Sequence, residues 1–195
     1  AAQALVDRVM FGLAGRRVTI STVGPTPECF GELAKAPVQL AWSLHASRED
    51  QRKALVPTAR YTPQALRDGY IKAMSPRSRS LQATMLEVTL LEGVNDNPKD
   101  ALDLVEFCRP IQNEVSKVVV NLIPWNDIGH TIVGGPSHFQ TPSMDRILSF
   151  QKILTDGGVR CYIRTTRGQE EGAACGQLAT LNKNKQQLTS SSEKP

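Results

Sequence analysis

Long apolar runs are missing from this chain of 195 residues. The longest, such as Val118 to Val120 and Leu122 to Pro124, fall far below the roughly 20 residues that span a bilayer, so no membrane span is expected. Cysteine is sparse and scattered, at 29, 108, 161 and 175, which leaves no CxxC or other close-spaced metal pattern. A four-cysteine disulfide scaffold would call for a secretory signal. The opening supplies none: Ala1 to Leu13 carries Asp7 and Arg8 inside an amphipathic pattern, with no basic stretch ahead of an apolar one. The cysteines therefore read as reduced thiols, and the chain reads as beginning mid-protein. A large excess of either charge is also absent. The net charge of +4 is compatible with nucleic acid without demanding it. Walker, GxGxxG, HExxH and GxSxG motifs are lacking, so the common nucleotide, zinc and hydrolase chemistries have no footing.

What is present is globular. Hydrophobic residues at 40% and ordinary Gly and Pro exclude collagen, low complexity and wholesale disorder. The length fits one domain, or a piece of a larger one. Leu5, Val6, Val9, Met10 and Leu13 recur at helical spacing and predict a helix over 2–14, ended near Gly15. Strands are predicted at Arg17 to Thr22, Val38 to Leu44, Leu81 to Leu91, Val115 to Ile123 and Val159 to Arg164. The middle ones look too apolar for a half-exposed sheet, so buried parallel strands are expected. A short helix is predicted over Pro27 to Ala36. Three further helices share one start device, a capping side chain before proline: Thr62-Pro63, Asn97-Pro98 and Thr141-Pro142. Their expected core faces are Leu66, Tyr70, Ile71 and Met74; Ala101, Leu102, Val105 and Cys108; and Met144, Ile147, Leu148, Gln151 and Leu154, the last helix stopping at Gly157-Gly158. Strand and helix in alternation imply an α/β fold with parallel neighbours and right-handed crossovers. Residues 181–195 are almost free of apolar side chains and are expected to be a disordered tail.

Parallel α/β folds bind ligands at the carboxyl ends of their strands. Here those ends are Ser21-Thr22-Val23-Gly24, Ser43-Leu44-His45, Glu92 to Asp96 and Pro124-Trp125-Asn126. Each has a plainer reading beside the functional one. Ser21 also fits a turn hydroxyl, His45 a hydrogen-bonded structural group, and Asn95-Asp96 a turn before the next helix. Glu87 differs, because it interrupts an apolar strand and a buried carboxylate needs a partner or a site. Cys175 sits among Gly172, Ala173, Ala174 and Gly176, which give a thiol steric access. Arg164 and Arg167 favour its thiolate, while Glu170 and Glu171 oppose it. An inert thiol is the alternative.

Taken in order, RRVTISTVG, SLHA, the VND turn, NLIPWN, RTTRG and AACGQLA closely resemble the C-terminal part of radical S-adenosylmethionine RNA methyltransferases of the adenine-C2 type, which act on 23S rRNA and tRNA. The resemblance covers about residues 1–180. It implies a partial (β/α)6 barrel, of which this chain carries the last four strands with a terminal strand and Cys loop appended. It also implies what the chain lacks: the N-terminal accessory domain, the CxxxCxxC loop that binds a [4Fe-4S] cluster, the Gly-Glu-Pro segment and a second catalytic cysteine. The chain is thus expected to be a fragment, inactive alone, with no metal ligands of its own.

In the family the carbon of adenine, too weak a nucleophile for polar methyl transfer, is reached by a radical route through an S-methylcysteine, and that residue matches Cys175. Ser21, Ser43, Leu44, His45 and Asn126 match contacts to S-adenosylmethionine. The family implies a reducing system as partner, a monomeric enzyme, and a cytoplasmic location in bacteria, with plastid or mitochondrion the alternative in a eukaryote. The stretch Asp127 to Gln140, with Gly134-Gly135 and His138, and the local Pro25-Thr26-Pro27 depart from the family pattern. A rival expectation is a truncated, non-catalytic α/β domain that binds RNA weakly through Arg160, Arg164, Arg167 and the tail lysines. A third is an unrelated α/β domain with a reactive cysteine.

Overall fold

A computed structural model describes residues 1–115, 117–126 and 139–164. Five strands, β1 (Thr19–Thr22), β2 (Gln39–Ser43), β3 (Ala83–Leu90), β4 (Lys117–Pro124) and β5 (Arg160–Ile163), form one sheet in sequence order. All four pairings are parallel. The helices are α1 (Ala2–Val6), α2 (Pro27–Ala34), α3 (Glu49–Leu55), α4 (Pro63–Met74), α5 (Pro98–Glu114) and α6 (Met144–Asp156). The fold is α/β, as the alternation of elements implies.

Period-two alternation assigns the two faces of the sheet. Leu40, Trp42, Leu86, Val88, Leu90, Val118, Val120 and Leu122 are buried in a core that also takes Phe30 from α2, Leu66, Tyr70 and Met74 from α4, Leu104, Phe107 and Ile111 from α5, and Ile147, Phe150 and Leu154 from α6. Four aromatic rings tie the helices of this core to β2. Phe30 meets Trp42 at 5.2 Å and Tyr70 at 5.0 Å, edge to face; Trp42 stacks on Tyr70 at 5.6 Å and tilts against Phe107 at 5.8 Å. Such pairs add about 0.5–1.5 kcal/mol each beyond the area they bury. The polar tips are met as well: Trp42 Nε1 donates to Val23 O at 3.2 Å and Tyr70 Oη to Thr84 Oγ1 at 2.9 Å.

The opposite face departs from expectation. The strands were expected to be buried on both sides, yet β3 alternates between buried and more open positions. The register puts Ser43, Glu87, Asn121 and Tyr162 in one row on the open side. Met85 and Val119 share that side, which is why the strands read as continuously apolar.

Three helix expectations are corrected. The first helix ends at Val6 rather than near residue 14. Asp7 Oδ1 accepts from the backbone N–H of Val9 at 2.8 Å and of Met10 at 3.3 Å, so the acid closes a turn instead of continuing the helix, and Gly12 turns the chain again at φ 63°. The last helix starts from Ser143, whose hydroxyl caps Arg146 N, and not from Thr141-Pro142. Thr141 instead spends its hydroxyl on the carbonyl of Trp125. Leu102, Met144 and Leu148 were placed in the core and are exposed, at 56%, 58% and 49%. Leu104, Phe107 and Phe150 occupy the positions that face the sheet. The capped starts at Thr62-Pro63 and Asn97-Pro98 are found as expected, the second as a full capping box with Asp100.

Candidate functional site

Two of the strand ends expected to form a mouth, those of β1 and β2, are joined to β3 by three side chains. β1 and β2 lie in register with β3, so Ser21, Ser43 and Glu87 reach one another across the open face. Ser21 Oγ donates to Glu87 Oε2 at 2.9 Å and Ser43 Oγ to the same oxygen at 3.1 Å, while the two hydroxyl oxygens lie 3.2 Å apart. Glu87 is thus the carboxylate in an apolar strand that required a partner, and its partners are two of the residues singled out by the resemblance. It takes part in none of the ion pairs among the described residues.

Leu44 and His45 follow directly. Both backbone N–H groups donate to Glu87 O, at 2.9 and 3.1 Å, extending the β2–β3 ladder past the end of β2. Leu44 turns its side chain into the core, while its backbone N–H is taken by Glu87 O and its carbonyl by Ala46 N and Arg52. His45 adopts φ 61°, the left-handed region uncommon for a residue with a side chain and one that clusters at functional sites. Asn95 holds it there: its amide donates to His45 O at 2.9 Å and Thr89 O at 2.8 Å, and its oxygen accepts from Leu91 N at 2.9 Å. Asn95 is therefore more than the turn residue its sequence context suggests. Burial and the charge of Arg52 hold the His45 imidazole below its ordinary value, with Glu87 pulling the other way. A long 3.5 Å contact from Thr89 N reaches His45 Nδ1.

Sequence reasoning missed Arg52 and the helix α3 that carries it. Arg52 is 1% exposed. Its guanidinium donates to Val23 O and Leu44 O, and to Ser43 O at 3.3 Å, while its carbon lies 5.8 Å from the centre of the Trp42 ring. One buried cation thereby clamps the carboxyl ends of β1 and β2. The desolvation behind that burial pulls its pKa down to about 10. Nothing in Glu49–Leu55, a short charged helix, distinguishes Arg52 from a solvated arginine.

Asn126 lies just beyond β4, past Trp125, whose backbone N–H donates to Leu90 O at 3.0 Å. No hydrogen bond among the described residues joins it to the serine pair. Cys175, Arg167, the stretch 127–138 with its glycines and His138, and the tail 181–195 lie outside the described residues. Cys29, Cys108 and Cys161 are free thiols, and burial raises the last two to about 12, so neither is a nucleophile. No group of three metal-ligating side chains occurs among the described residues. No helix among them is long and apolar enough to cross a membrane.

No family model matches the chain. Curated proteins do. The dual-specificity RNA methyltransferase RlmN of Marinomonas sp. (strain MWYL1) is 38% identical over 172 residues, 86% of this chain and 42% of its own length. Its namesake from Ruthia magnifica subsp. Calyptogena magnifica is 38% identical over 179 residues, 90% of this chain and 46% of its own. The chain belongs to the RlmN family. It spans less than half the length of these RlmN relatives, in their C-terminal part. Among solved structures, the radical SAM methyltransferase from Sphaerobacter thermophilus superposes with a TM-score of 0.73 at 32% identity, over 89% of this chain and 47% of that one. A domain of pyruvate-formate lyase-activating enzyme from Bacteroides vulgatus ATCC 8482 matches at TM-score 0.56 and 17% identity, over 75% of this chain and 80% of that one, which speaks to the fold alone. The parallel sheet is accordingly part of the partial barrel of radical SAM enzymes.

Proposed function

We propose that this chain is the cofactor-binding and methyl-accepting part of an enzyme that methylates C2 of adenosine in 23S rRNA and tRNA, with Ser21, Ser43, Leu44, His45 and Asn126 taking S-adenosylmethionine and Cys175 accepting the methyl group. The observation that carries this reading is the convergence of Ser21, Ser43 and Glu87 within 3.2 Å on the open face at the strand ends, in a chain of the RlmN family.

The residues present suit such a ligand. S-adenosylmethionine carries a sulfonium, an α-ammonium beside an α-carboxylate, a ribose diol and an adenine ring; its sulfonium, ammonium and diol ask for oxygen acceptors and negative charge. Ser21, Ser43 and Glu87 supply both. The left-handed turn at His45 and the Arg52 clamp hold the β2 end in one geometry, so that little ordering remains to be done on binding.

A [4Fe-4S] cluster, which supplies the electron for reductive cleavage of the cofactor in this chemistry, finds no ligand set here: the four cysteines of the sequence are scattered and no three metal-ligating side chains cluster among the described residues. Its ligands belong to the part of the RlmN relatives that this chain does not span.

In a protein restored with a family N-terminal part, the purified enzyme should carry a methyl group on Cys175 and none on Cys29, Cys108 or Cys161, as read by peptide mass spectrometry. Cys175→Ala should abolish RNA methylation while leaving cofactor affinity within about twofold, because the thiol is a reactant and not a binding contact. Methylation that survives the substitution would overturn the assignment of Cys175.

A further inference from the structure

The three-sided contact between Ser21, Ser43 and Glu87 has a definite proton count. Each hydroxyl owns one proton and a carboxylate owns none. All three sides of the triangle are within hydrogen-bond distance, at 2.9, 3.1 and 3.2 Å. Three arrangements satisfy it: both serines donate to Glu87 Oε2, or either serine donates to the other, which then donates to Glu87. Both protons are consumed inside the cluster in every case. What remains for a ligand is lone pairs on the two hydroxyl oxygens and on the free carboxylate oxygen.

We propose that Glu87 is a positioning residue that fixes this polarity, making Ser21 and Ser43 obligate acceptors, so that the site selects a ligand presenting hydrogen donors, either vicinal ribose hydroxyls or an α-ammonium, and rejects phosphate and carboxylate groups.

A serine pair without the carboxylate would be indifferent, since each hydroxyl rotates to donate or accept as the ligand requires. Glu87 removes that freedom. It is itself held in place, because its carbonyl accepts from both Leu44 N and His45 N and its strand neighbours Leu86 and Val88 are locked in the core. The β2–β3 junction therefore fixes the backbone from which the carboxylate reaches the serines.

The inference rests on the cofactor assignment made above, and the test separates the two. Binding of S-adenosylhomocysteine, its 2′,3′-dideoxy counterpart and its desamino counterpart is measured by titration calorimetry on the protein restored with a family N-terminal part and on its near-isosteric variant Glu87→Gln, whose amide brings a donor into the triangle. The wild type should discriminate against one analogue by about tenfold or more, and which one identifies the matched group as diol or ammonium. In the variant, affinity for the parent should fall about tenfold while affinity for the mismatched analogue changes less than about twofold, so the discrimination disappears. A variant that keeps the wild-type ratios, or that weakens all three ligands equally, overturns the role of Glu87 and leaves the cofactor assignment standing. Failure of the wild type to bind any adenosyl ligand overturns both.

Discussion

At the scale of single residues, the site depends on groups held in costly states by their neighbours. His45 keeps a left-handed backbone because Asn95 and Glu87 O satisfy its carbonyl and N–H. Burial, with Arg52 nearby, keeps its ring below the ordinary value of 6.5. In the unfolded chain the ring titrates at that ordinary value. As pH falls through 6.5 the unfolded chain therefore gains a proton that the folded chain refuses, and stability that is full above 6.5 declines. Asparagine tolerates the left-handed region but does not titrate. His45→Asn should accordingly show a shallower loss of unfolding free energy between about pH 7.5 and about pH 5.5 than the wild type, measured by denaturant titration. Equal slopes would mean that the imidazole is not buried in its neutral form. Glu87 could be found from sequence because a charge inside an apolar strand is an anomaly. Arg52 could not, since the acidic and basic residues around it look like an ordinary solvated helix and only the fold turns its guanidinium onto Val23, Ser43 and Leu44.

At the scale of elements, strands were the most legible part of the sequence. A run of β-branched and aliphatic residues marks β1 to β5 within a few positions, and side-chain caps at Thr62 and Asn97 fix two helix starts. Helix faces were less legible. A predicted stripe can be rotated by one position without violating helical spacing, and packing against the sheet, not periodicity, chose Leu104 over Leu102 and Phe150 over Leu148. Close helix contacts hide in single small residues. α2 lies against α4 at Gly69, where an added Cβ would fall 2.6 Å from Pro27 Cβ and 2.8 Å from its Cα and O. Backbone atoms cannot move aside as a side-chain tip does, so Gly69→Ala must part the helices. Since Phe30 of α2 anchors both Trp42 and Tyr70, that displacement reaches the aromatic core. A loss of about 1–3 kcal/mol is expected in denaturant melts, despite the better helix propensity of alanine. A neutral or stabilising outcome would show that the contact relaxes freely.

At the scale of the whole molecule, the sheet has two outer strands, and the β1 side is where the described structure is least covered. β1 pairs with β2 on one side and with nothing among the described residues on the other. Just before it, Val9, Met10 and Phe11 stand 94%, 64% and 65% exposed. An unpaired parallel edge presents a row of hydrogen-bonding groups, and a neighbouring apolar cluster gives an approaching chain something to bury. No edge-strand lysine or proline guards Thr19 to Thr22, the devices that usually discourage such pairing. The 195-residue chain should therefore self-associate as its concentration rises, read by sedimentation velocity. Two controls assign the cause. Val9→Lys with Phe11→Lys removes the apolar cluster without touching the sheet, and Ser21→Pro removes a ladder donor from β1 itself. If both shift the chain toward monomer, edge and cluster act together; if only the first does, the apolar turn drives association and the strand edge is passive. A wild-type chain that stays monomeric across the concentration series would mean that residues beyond the described ones already cover this side.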